Sequence, residues 1–492
     1  MRFLPQVVLP ALAVAGEVYN TFDGDGFAAC YEVAKVYRPS SIDEIVSIVQ
    51  DASAAGTPVR ASGNGHMWYD TMCSDDPSTI IIKTDAVNGI SDLQMNDDGT
   101  GSVLVEAGVT FPQLAEWLQD RDAALGYTLV NWNITIAGAV AMGAHRSSLG
   151  EDSQVSSAAL ALDIINGKGE LVHLDRDQSN DTWLAATTSL GLLGVIARVE
   201  MMVLADYKVW ANQTTVDEDD VLNGDLYEEI SPYVTANYWW WPGQRKFHKR
   251  TYGVVPADHD GDAFQSTFSL TDIEGSLANT LLGSGQNNSW QNFITEGIFY
   301  ALWSAPNFHS ESTDLPLLSW PVYGSAYEVL IGGLYPNQKP EWDYGLHGKT
   351  LELAVPITQA NALLKRVREL LDQSKADGKA VTATYRSGIN IKVLWGFNHA
   401  VGVNRADIGA MMFDFPSFKP STGNGDRFNE ECVTSQQFPV RPHWTKNTRD
   451  VFKQSVKNLN PDSLATFAAV RKRFDPDGIF KSVVGEILGV MD

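Results

Sequence analysis

The sequence is short of cysteine, of basic residues and of long apolar runs, and each shortage excludes a class of protein. Its three cysteines, Cys30, Cys73 and Cys432, are scattered through 492 residues, which excludes a clustered zinc site. Lysine and arginine number 36 against 60 aspartates and glutamates, and the net charge is −24. Because nucleic acids and anionic membranes bind basic surfaces, both are unfavourable partners. The charge favours a soluble protein that acts on a neutral or cationic small molecule.

The length and composition are typical of a globular protein with two or three domains, at 44% hydrophobic and 20% charged residues. At the N-terminus, Arg2 precedes an apolar run that is too short to span a bilayer, and Ala13-Val14-Ala15 resembles a cleavage site. We therefore predict a signal peptide over residues 1–16 and secretion, with an apolar N-terminal strand and a soluble intracellular protein as the alternative. A Cys30–Cys73 bridge is possible in an oxidising compartment, with Cys432 unpaired. Sequons permit glycosylation at Asn133, Asn180, Asn212 and Asn287.

The segment VRASGNGHMWYD, residues 59–70, contains the first candidate site. It follows a helix predicted from the capping box in SIDE, residues 41–44, and a short buried strand. Gly63 and Gly65 allow positive φ and bring backbone N–H groups close to an anion, as in loops that bind a diphosphate. On this pattern alone an ordinary turn is the more frequent structure, and His66 would then cap that turn.

Residues 17–205 alternate between predicted strands and helices. Thr110 and Gln113 form a second capping box at the start of a helix. The clearest hairpin lies within residues 158–175, where Gly167-Lys168-Gly169 joins two apolar strands.

Two later segments of this region also suggest close packing. Residues 130–150 are rich in small side chains and carry no charge before Arg146, so they pack against either a cofactor or the domain core. In residues 188–204, an alternating apolar strand is entered through Gly191 and Gly194.

Residues 206–425 differ in composition, because tryptophan and tyrosine cluster there, as in YWWWP at 238–242. Such a cluster could stack on a sugar ring, although a domain core is the more frequent role. A helix is predicted over residues 358–375 from its apolar face. The C-terminal part contains RPHWTKNTRDVF, residues 441–452, and a closing Asp-Pro-x-Gly turn, residues 475–478.

These segments together resemble the vanillyl-alcohol-oxidase superfamily, in its aldonolactone and alditol oxidase branch. Gly65-His66 after a strand resembles the flavin-attachment segment of that branch, and His443-Trp-x-Lys446 resembles its His-Trp-x-Lys signature. The resemblance covers about residues 30–205 and 430–485. It implies an α+β fold in which a two-part FAD-binding domain of the PCMH type is made from both ends of the chain, around an inserted α+β substrate (cap) domain. The implied boundaries are 17–205 for the FAD-binding domain, 206–425 for the cap and 426–492 for the C-terminal segment.

The resemblance also implies that FAD is the cofactor and that His66 carries it covalently on the 8α methyl group. Two positions depart from the pattern, since Ala144 replaces the usual Thr and Arg146 the usual Gly, although an Arg could still bind a phosphate. No metal site is implied. The implied cofactor-binding residues are Ala61, Ser62, Gly63, Asn64, Gly65, His66, Met67, Gly138, Gly143, Ala144, His145, Ser147, Gly194, Val195, Ile196 and His443.

Three residues are candidates for the chemistry. In the family signature the Lys faces the substrate oxygen, which assigns Lys446 the stabilisation of a developing alkoxide. The branch also has a Glu-x-Arg strand, and its best match, residues 387–397, places Asn390 at the Glu position and Lys392 at the Arg position. This exchange removes a carboxylate and replaces a planar fork by a compact ammonium. It predicts weak turnover of simple alditols and aldonolactones, and a better substrate among other secondary alcohols.

The expected function is that of an FAD-dependent oxidase, which transfers a hydride from a C–OH carbon of a sugar-derived or polyol/lactone-like substrate to flavin N5 and then reduces O2 to H2O2. One alternative is a dehydrogenase that uses another acceptor. A second is a secondary-metabolite oxidase of the berberine-bridge type that acts on a non-sugar alcohol. No cysteine lies between Cys73 and Cys432 to supply the second flavin link of many such enzymes. A third is a catalytically inactive flavin- or sugar-binding protein.

Overall fold

A computed structural model describes most of the chain. The described residues are 16–19, 29–126, 134–261, 269–270, 272–283, 289–305, 319–327, 329, 339–340, 348–377, 386–396, 400–402, 409–418 and 438–491. Some of the features predicted from the sequence lie outside these ranges. They are the signal segment before residue 16, the sequons at Asn133 and Asn287, and the unpaired Cys432, and they remain predictions.

The N-terminal part alternates strands and helices as far as residue 205. Its elements are β1 (Gly16–Tyr19), β2 (Ala29–Val33), β3 (Lys35–Tyr37), α1 (Ile42–Ala55), β4 (Val59–Ser62), β5 (Ile80–Lys83), β6 (Ile90–Met95), β7 (Thr100–Glu106), α2 (Phe111–Gln119), β8 (Ala123–Ala124), α3 (Ile136–Ala141), β9 (Ala159–Ile165), β10 (Leu171–Asp175), α4 (Asp181–Ala186) and β11 (Val195–Ala205).

The remaining elements form the middle and C-terminal parts. They are β12 (Lys208–Asp217), α5 (Glu218–Asn223), α6 (Leu226–Ile230), β13 (Thr235–Trp241), β14 (Lys246–Val255), β15 (Ser269–Leu270), α7 (Asp272–Gly283), α8 (Ser289–Ser304), β16 (Val322–Ser325), β17 (Lys339–Pro340), β18 (Gly348–Pro356), α9 (Ala360–Ala376), β19 (Ile389–Leu394), β20 (Ala410–Phe418), β21 (Arg441–Pro442), α10 (Arg449–Ser455), α11 (Pro461–Phe474) and α12 (Val483–Ile487).

A small parallel sheet, in the order β3-β5-β4, carries the loop that contains His66. Helix α1 packs on it and is capped at its N-terminus by Ser41, whose hydroxyl accepts a hydrogen bond from the Glu44 N–H. One of the two hydrogen bonds of the predicted capping box therefore forms. The other differs, because the Glu44 carboxylate accepts from the N–H of Ser40 and not of Ser41. The C-terminal segment closes this unit, since the Val59 N–H donates to the Ile479 carbonyl at 2.8 Å.

The neighbouring sheet of the N-terminal part is antiparallel, in the order β10-β9-β11-β7-β6. The predicted hairpin is confirmed as β9 and β10, and the Thr110–Gln113 capping box is confirmed at the start of α2. Phe467 and Val470 of α11 lie in the same apolar core as the strands of this sheet. Both ends of the chain therefore build one α+β unit, as the resemblance implied.

An eight-stranded sheet forms the middle part, in the order β16-β12-β14-β13-β19-β20-β18-β21. Side chains alternate between its two faces. One face is apolar and packs on α9, whose bounds agree with the predicted helix to within two residues. Tyr238 and Trp240 are buried in this core, as expected. Trp239 and Trp241 lie on the opposite face, where Trp241 is buried, Trp239 is half-buried and their rings stack.

The structure joins Cys30 to Cys73 by a disulfide, the pairing that the sequence left open. Among the described helices, none combines the length and apolar character needed to cross a membrane.

Candidate functional site

Arg60 brings three predicted cofactor-binding segments together. Its guanidinium is fully buried on β4 and donates to the carbonyl oxygens of Gly191 at 2.9 Å and Leu190 at 3.0 Å. The Leu190 N–H in turn donates to the Ala141 carbonyl at 2.9 Å. The loop after β4, the segment after α3 and the turn before β11 are therefore neighbours, although they are far apart in the sequence.

The loop after β4 has the tight geometry that its glycines predicted. A Cβ on Gly63 would lie 2.2 Å from Thr135 Oγ1, and Gly65 has a φ of +69°, in the left-handed region. His66 follows and is half-buried. Burial, together with the charge of Lys446, lowers its pKa to about 3. The imidazole is therefore neutral at ordinary pH, the form in which its nitrogen is nucleophilic.

The C-terminal signature lies directly against this loop. The Trp68 N–H donates to the Thr445 carbonyl at 2.9 Å. Arg449 at the start of α10 pairs with Asp70 at 2.6 Å and with Asp75 at 2.7 Å. Residues 66–75 and 443–449 are thus held in register by both backbone and side-chain contacts.

Three polar residues of the middle sheet form a row across neighbouring strands. Asn390 on β19 lies opposite Asp414 on β20, and Asp414 lies opposite Glu352 on β18. Residues directly opposite one another in antiparallel strands point to the same face. This face is the one opposite α9, and it carries Lys392 two residues after Asn390.

Two lysines bind these carboxylates. Lys446 Nζ lies 2.8 Å from an oxygen of Glu352 and 2.8 Å from an oxygen of Asp414. Lys392 Nζ lies 3.1 Å from the other Glu352 oxygen. We call these four residues the lysine–carboxylate cluster. It lies close to the imidazoles of His66, His145 and His443.

The cluster holds its charges in spite of burial. Burial lowers the pKa of Lys446, but Asp414 and Glu352 outweigh it, so that this pKa stays above its usual value. Burial likewise raises the pKa of Glu352, but Lys392 and Lys446 outweigh it and hold this pKa well below the usual range. Lys446 is therefore an ammonium and Glu352 a carboxylate across the physiological range.

Sequence reasoning missed Glu352 and Asp414, and the structure corrects the inference drawn from Asn390 and Lys392. The site does not lack a carboxylate, because these two residues supply carboxylates from the neighbouring strands. A signal was available in the sequence. Each is the lone acidic residue of its strand and has an apolar residue on either side, and such a residue is rarely buried without a partner.

The two other histidines of the site are also neutral. Burial lowers the pKa of His443 to about 4 and that of His145 well below its usual value. His443 Nδ1 accepts from the Thr445 N–H at 3.3 Å, which places its proton on Nε2. The rings of His145 and His443 lie 5.2 Å apart.

His145, Glu352 and His443 offer ligand atoms within 4.8 Å of one another, a spacing that a metal ion could use. Both oxygens of Glu352 are already held by lysine ammonium groups, however. A divalent cation would have to displace them and then face two positive charges. The charge pattern of the cluster therefore favours a polar organic group over a metal.

The site fits FAD on the evidence of its buried polar atoms. Gln154 Nε2, beside Gly143, and Ser189 Oγ are buried and have no hydrogen-bond partner among the described residues. A buried polar group without a partner is costly, so these atoms favour a polar ligand that runs along the loops.

The remaining predicted cofactor-binding residues have the following places. Gly138 lies in α3, and Ala144 is buried beside it in the core. The Ser147 hydroxyl donates to the Ala236 carbonyl and accepts from the Val393 N–H at 2.9 Å, so it joins the loop to the middle sheet. Arg146 pairs with Glu151 and donates to the Gly126 carbonyl.

At the turn before β11, Gly194 is required by close packing, because a Cβ there would lie 2.2 Å from the Ile165 carbonyl oxygen. Val195 and Ile196 are buried at the start of β11, and their side chains lie in apolar cores.

Comparisons with known proteins agree with this architecture. Residues 33–175 match the family described as FAD binding domain. A D-arabinono-1,4-lactone oxidase of Kluyveromyces lactis is 32% identical over 243 residues, a match that spans 47% of this chain and only 44% of that protein. A probable L-gulonolactone oxidase of Arabidopsis thaliana is 26% identical, over 96% of this chain and 83% of that protein.

Two solved structures are similar over nearly their whole length. A solvent-stable cholesterol oxidase superposes with a TM-score of 0.74 at 15% identity, over 96% of this chain and 97% of the other. The cholesterol oxidase of B. sterolicum gives a TM-score of 0.72 at 13% identity, over 99% and 100% of the two chains. At these identities the likeness concerns the fold.

Proposed function

We propose that this chain, which belongs to the vanillyl-alcohol-oxidase family of FAD-dependent oxidoreductases with a PCMH-type FAD-binding domain, oxidises a C–OH group of a sugar-derived alcohol and uses O2 as acceptor. The observation that carries the proposal is the lysine–carboxylate cluster, in which a partly buried ammonium, Lys446, lies beside a neutral His66. The names of the sequence relatives, which are oxidases of two sugar lactones, support the substrate class.

The cofactor would be held by the loop at residues 61–67, the segment at 143–147 and the turn before β11, with a covalent bond to His66. FAD supplies the redox chemistry when bound, because it accepts a hydride from the carbon that bears the hydroxyl group and passes the electrons to O2 to give H2O2. His66 suits the covalent bond because burial keeps its imidazole unprotonated.

Lys446 would bind the substrate oxygen and stabilise it as its proton leaves. Its charge is present before the reaction begins, because Glu352 and Asp414 hold the pKa of Lys446 above its usual value. An ammonium fixed beside an oxygen that gains negative charge lowers the barrier without reorganisation during the step. Lys392 and Asn390, on the adjoining strand, would orient the substrate.

The test combines a cofactor assay with a substrate assay. Acid-precipitated protein should stay yellow and should yield a flavin-bearing peptide that contains His66. Under anaerobic conditions a sugar-derived alcohol should bleach the flavin, and under air it should produce peroxide in equal amount. The proposed substrate class would be rejected if a hydroxy acid or a benzylic alcohol reduced the flavin rapidly and no alditol, aldonolactone or glycoside did. Bleaching without peroxide would identify a dehydrogenase.

We also propose that the protein is secreted. The Cys30–Cys73 disulfide supports an oxidising compartment, and the sequon at Asn180 is exposed. Expression in a eukaryotic host should deliver the protein to the medium, cleaved near residue 16. Retention in the cell with an intact N-terminus would contradict this.

A further inference from the structure

We propose that a distal subsite, formed by Asn237, Trp239 and Asn390 beside the lysine–carboxylate cluster, binds a second sugar ring. The substrate is then a glycoside-type alcohol or lactone of at least two sugar units. This inference rests on the proposed function, because the reacting hydroxyl group is placed at Lys446.

The distal subsite lies on the same face of the middle sheet as the cluster. Trp239 on β13 is directly opposite Asn390 on β19, in the row that continues through Asp414 to Glu352. Asn237 is directly opposite Lys392. Because side chains alternate along a strand, Tyr238 and Trp240 point to the other face, where they lie in the core against α9.

The two asparagines present acceptors that need donors. The Oδ1 atoms of Asn237 and Asn390 are both buried and have no hydrogen-bond partner among the described residues. Asn390 as a whole is 8% exposed. A buried carbonyl oxygen without a donor carries a desolvation cost that a bound O–H group would remove. Sugar hydroxyl groups are such donors.

Trp239 adds a flat apolar surface next to these acceptors. It is half-buried, its ring centroid lies 4.5 Å from that of Trp303 on α8, and its ring also stacks on Trp241. Arg250, which lies opposite Asn237 on β14, donates two hydrogen bonds to Gln213 Oε1, at 2.6 and 3.0 Å. Two amides beside a tryptophan face suit a neutral ring that has hydroxyl groups on its edge and C–H groups on its face.

The spacing decides how large the ligand is. Lys446 binds Asp414 and Glu352, and Trp239 is two strands away from Asp414 in the sheet order. Neighbouring strands are about 4.8 Å apart, so the tryptophan lies roughly 10 Å from the reacting end of the site. This distance exceeds the width of one sugar ring, and it fits a second ring joined to the first.

The experiment compares the holoenzyme's kcat/KM for matched pairs of one-unit and two-unit compounds. The pairs are glucitol with maltitol, gluconolactone with cellobionolactone, and benzyl alcohol with biphenylmethanol. The wild type should prefer the glycosylated member of each sugar pair by about tenfold or more, the worth of one good hydrogen bond or stacked ring. Trp239→Leu and Asn237→Leu should each reduce this preference about tenfold, whereas Trp239→Phe should retain most of it.

Trp290→Ala is the matched control, because Trp290 is 67% exposed on α8 and lies outside the subsite. It should leave the preference unchanged. Equal kcat/KM for one-unit and two-unit sugars, or a preference for biphenylmethanol over both, would overturn the distal subsite while the oxidase function stood. Anaerobic titration of tryptophan fluorescence with maltitol reads binding without turnover. Saturable quenching that Trp239→Leu abolishes, without any bleaching of the flavin, would retain the subsite and reject the proposed function.

Discussion

Replacement of Glu352 by glutamine should test the lysine–carboxylate cluster most directly. The glutamine has nearly the same shape but no charge, and it would leave two ammonium groups, Lys392 at 3.1 Å and Lys446 at 2.8 Å, beside a neutral amide. Glu352 is fully buried, so water cannot compensate for the lost charge. Removal of one partner from a buried ion pair costs about 3–5 kcal/mol, and we expect Glu352→Gln to lose free energy of unfolding in that range.

Asp414→Asn provides the matched control, because it also removes one carboxylate from Lys446 but leaves Lys392 paired. We expect a smaller loss, of about 1–3 kcal/mol, since Glu352 still holds both lysines. Urea unfolding followed by far-UV circular dichroism and by flavin fluorescence measures both losses. The assigned role of Glu352 would be refuted if Glu352→Gln were as stable as the wild type, or if it lost less free energy of unfolding than Asp414→Asn.

The same variant should change the pH dependence of flavin reduction. In the wild type the pKa of Lys446 is raised, so the ammonium persists and the rate should not fall as pH rises from 7 to 10 on account of this lysine. Without Glu352 one of the two raising carboxylates is gone, and the pKa of Lys446 is lower. Its charge is then lost at a lower pH, and the alkaline decline of the rate should begin earlier. An unchanged profile would show that Glu352 does not act on Lys446.

Three further outcomes are expected. His66→Ala should release its flavin into the supernatant on acid precipitation, and retention of the colour would place the covalent link elsewhere. Lys446→Met should keep its flavin but reduce it about 10²-fold more slowly in anaerobic stopped flow, and a near-wild-type rate would remove Lys446 from the chemistry. In the folded protein the pKa of His443 is lowered from 6.5 to about 4. As the pH falls, this histidine is therefore protonated first in the unfolded chain, and the protein loses stability between about pH 6.5 and 4. In His443→Asn this acid loss should be smaller by up to about 3 kcal/mol, as measured by urea unfolding at each pH, and an equally steep loss would exclude His443 as its cause.

The segments predicted correctly from sequence are those whose structure depends on near neighbours. Thr110 and Gln113 form the expected capping box, and β9 and β10 form the expected hairpin, because both arrangements are made by residues close in the chain. The left-handed φ of Gly65 belongs to the same class. The flavin-binding character of the chain could therefore be inferred from local motifs around His66 and Lys446.

The sequence showed which distant segments could pair but not which of them do. Cys30 and Cys73 were one candidate pair, and the structure joins them. For the aromatic run at 238–242 the sequence allowed two roles, stacking on a sugar ring or forming a domain core. The period of two residues along β13 divides it, so that Tyr238 and Trp240 enter the core and Trp239 faces the site.

The sequence by itself predicted the FAD-binding domain, the loop conformation and the two residues, His66 and Lys446, on which the proposed function rests, because each is read from a short contiguous motif. Only the tertiary structure revealed that Glu352 and Asp414 supply the carboxylates. The register between β18, β20 and β19 places them in one row with Asn390, and that register is set by strand pairing between segments distant in the chain. A one-residue slip would turn every one of these side chains to the opposite face, so the charge of the site is a property of the assembled sheet.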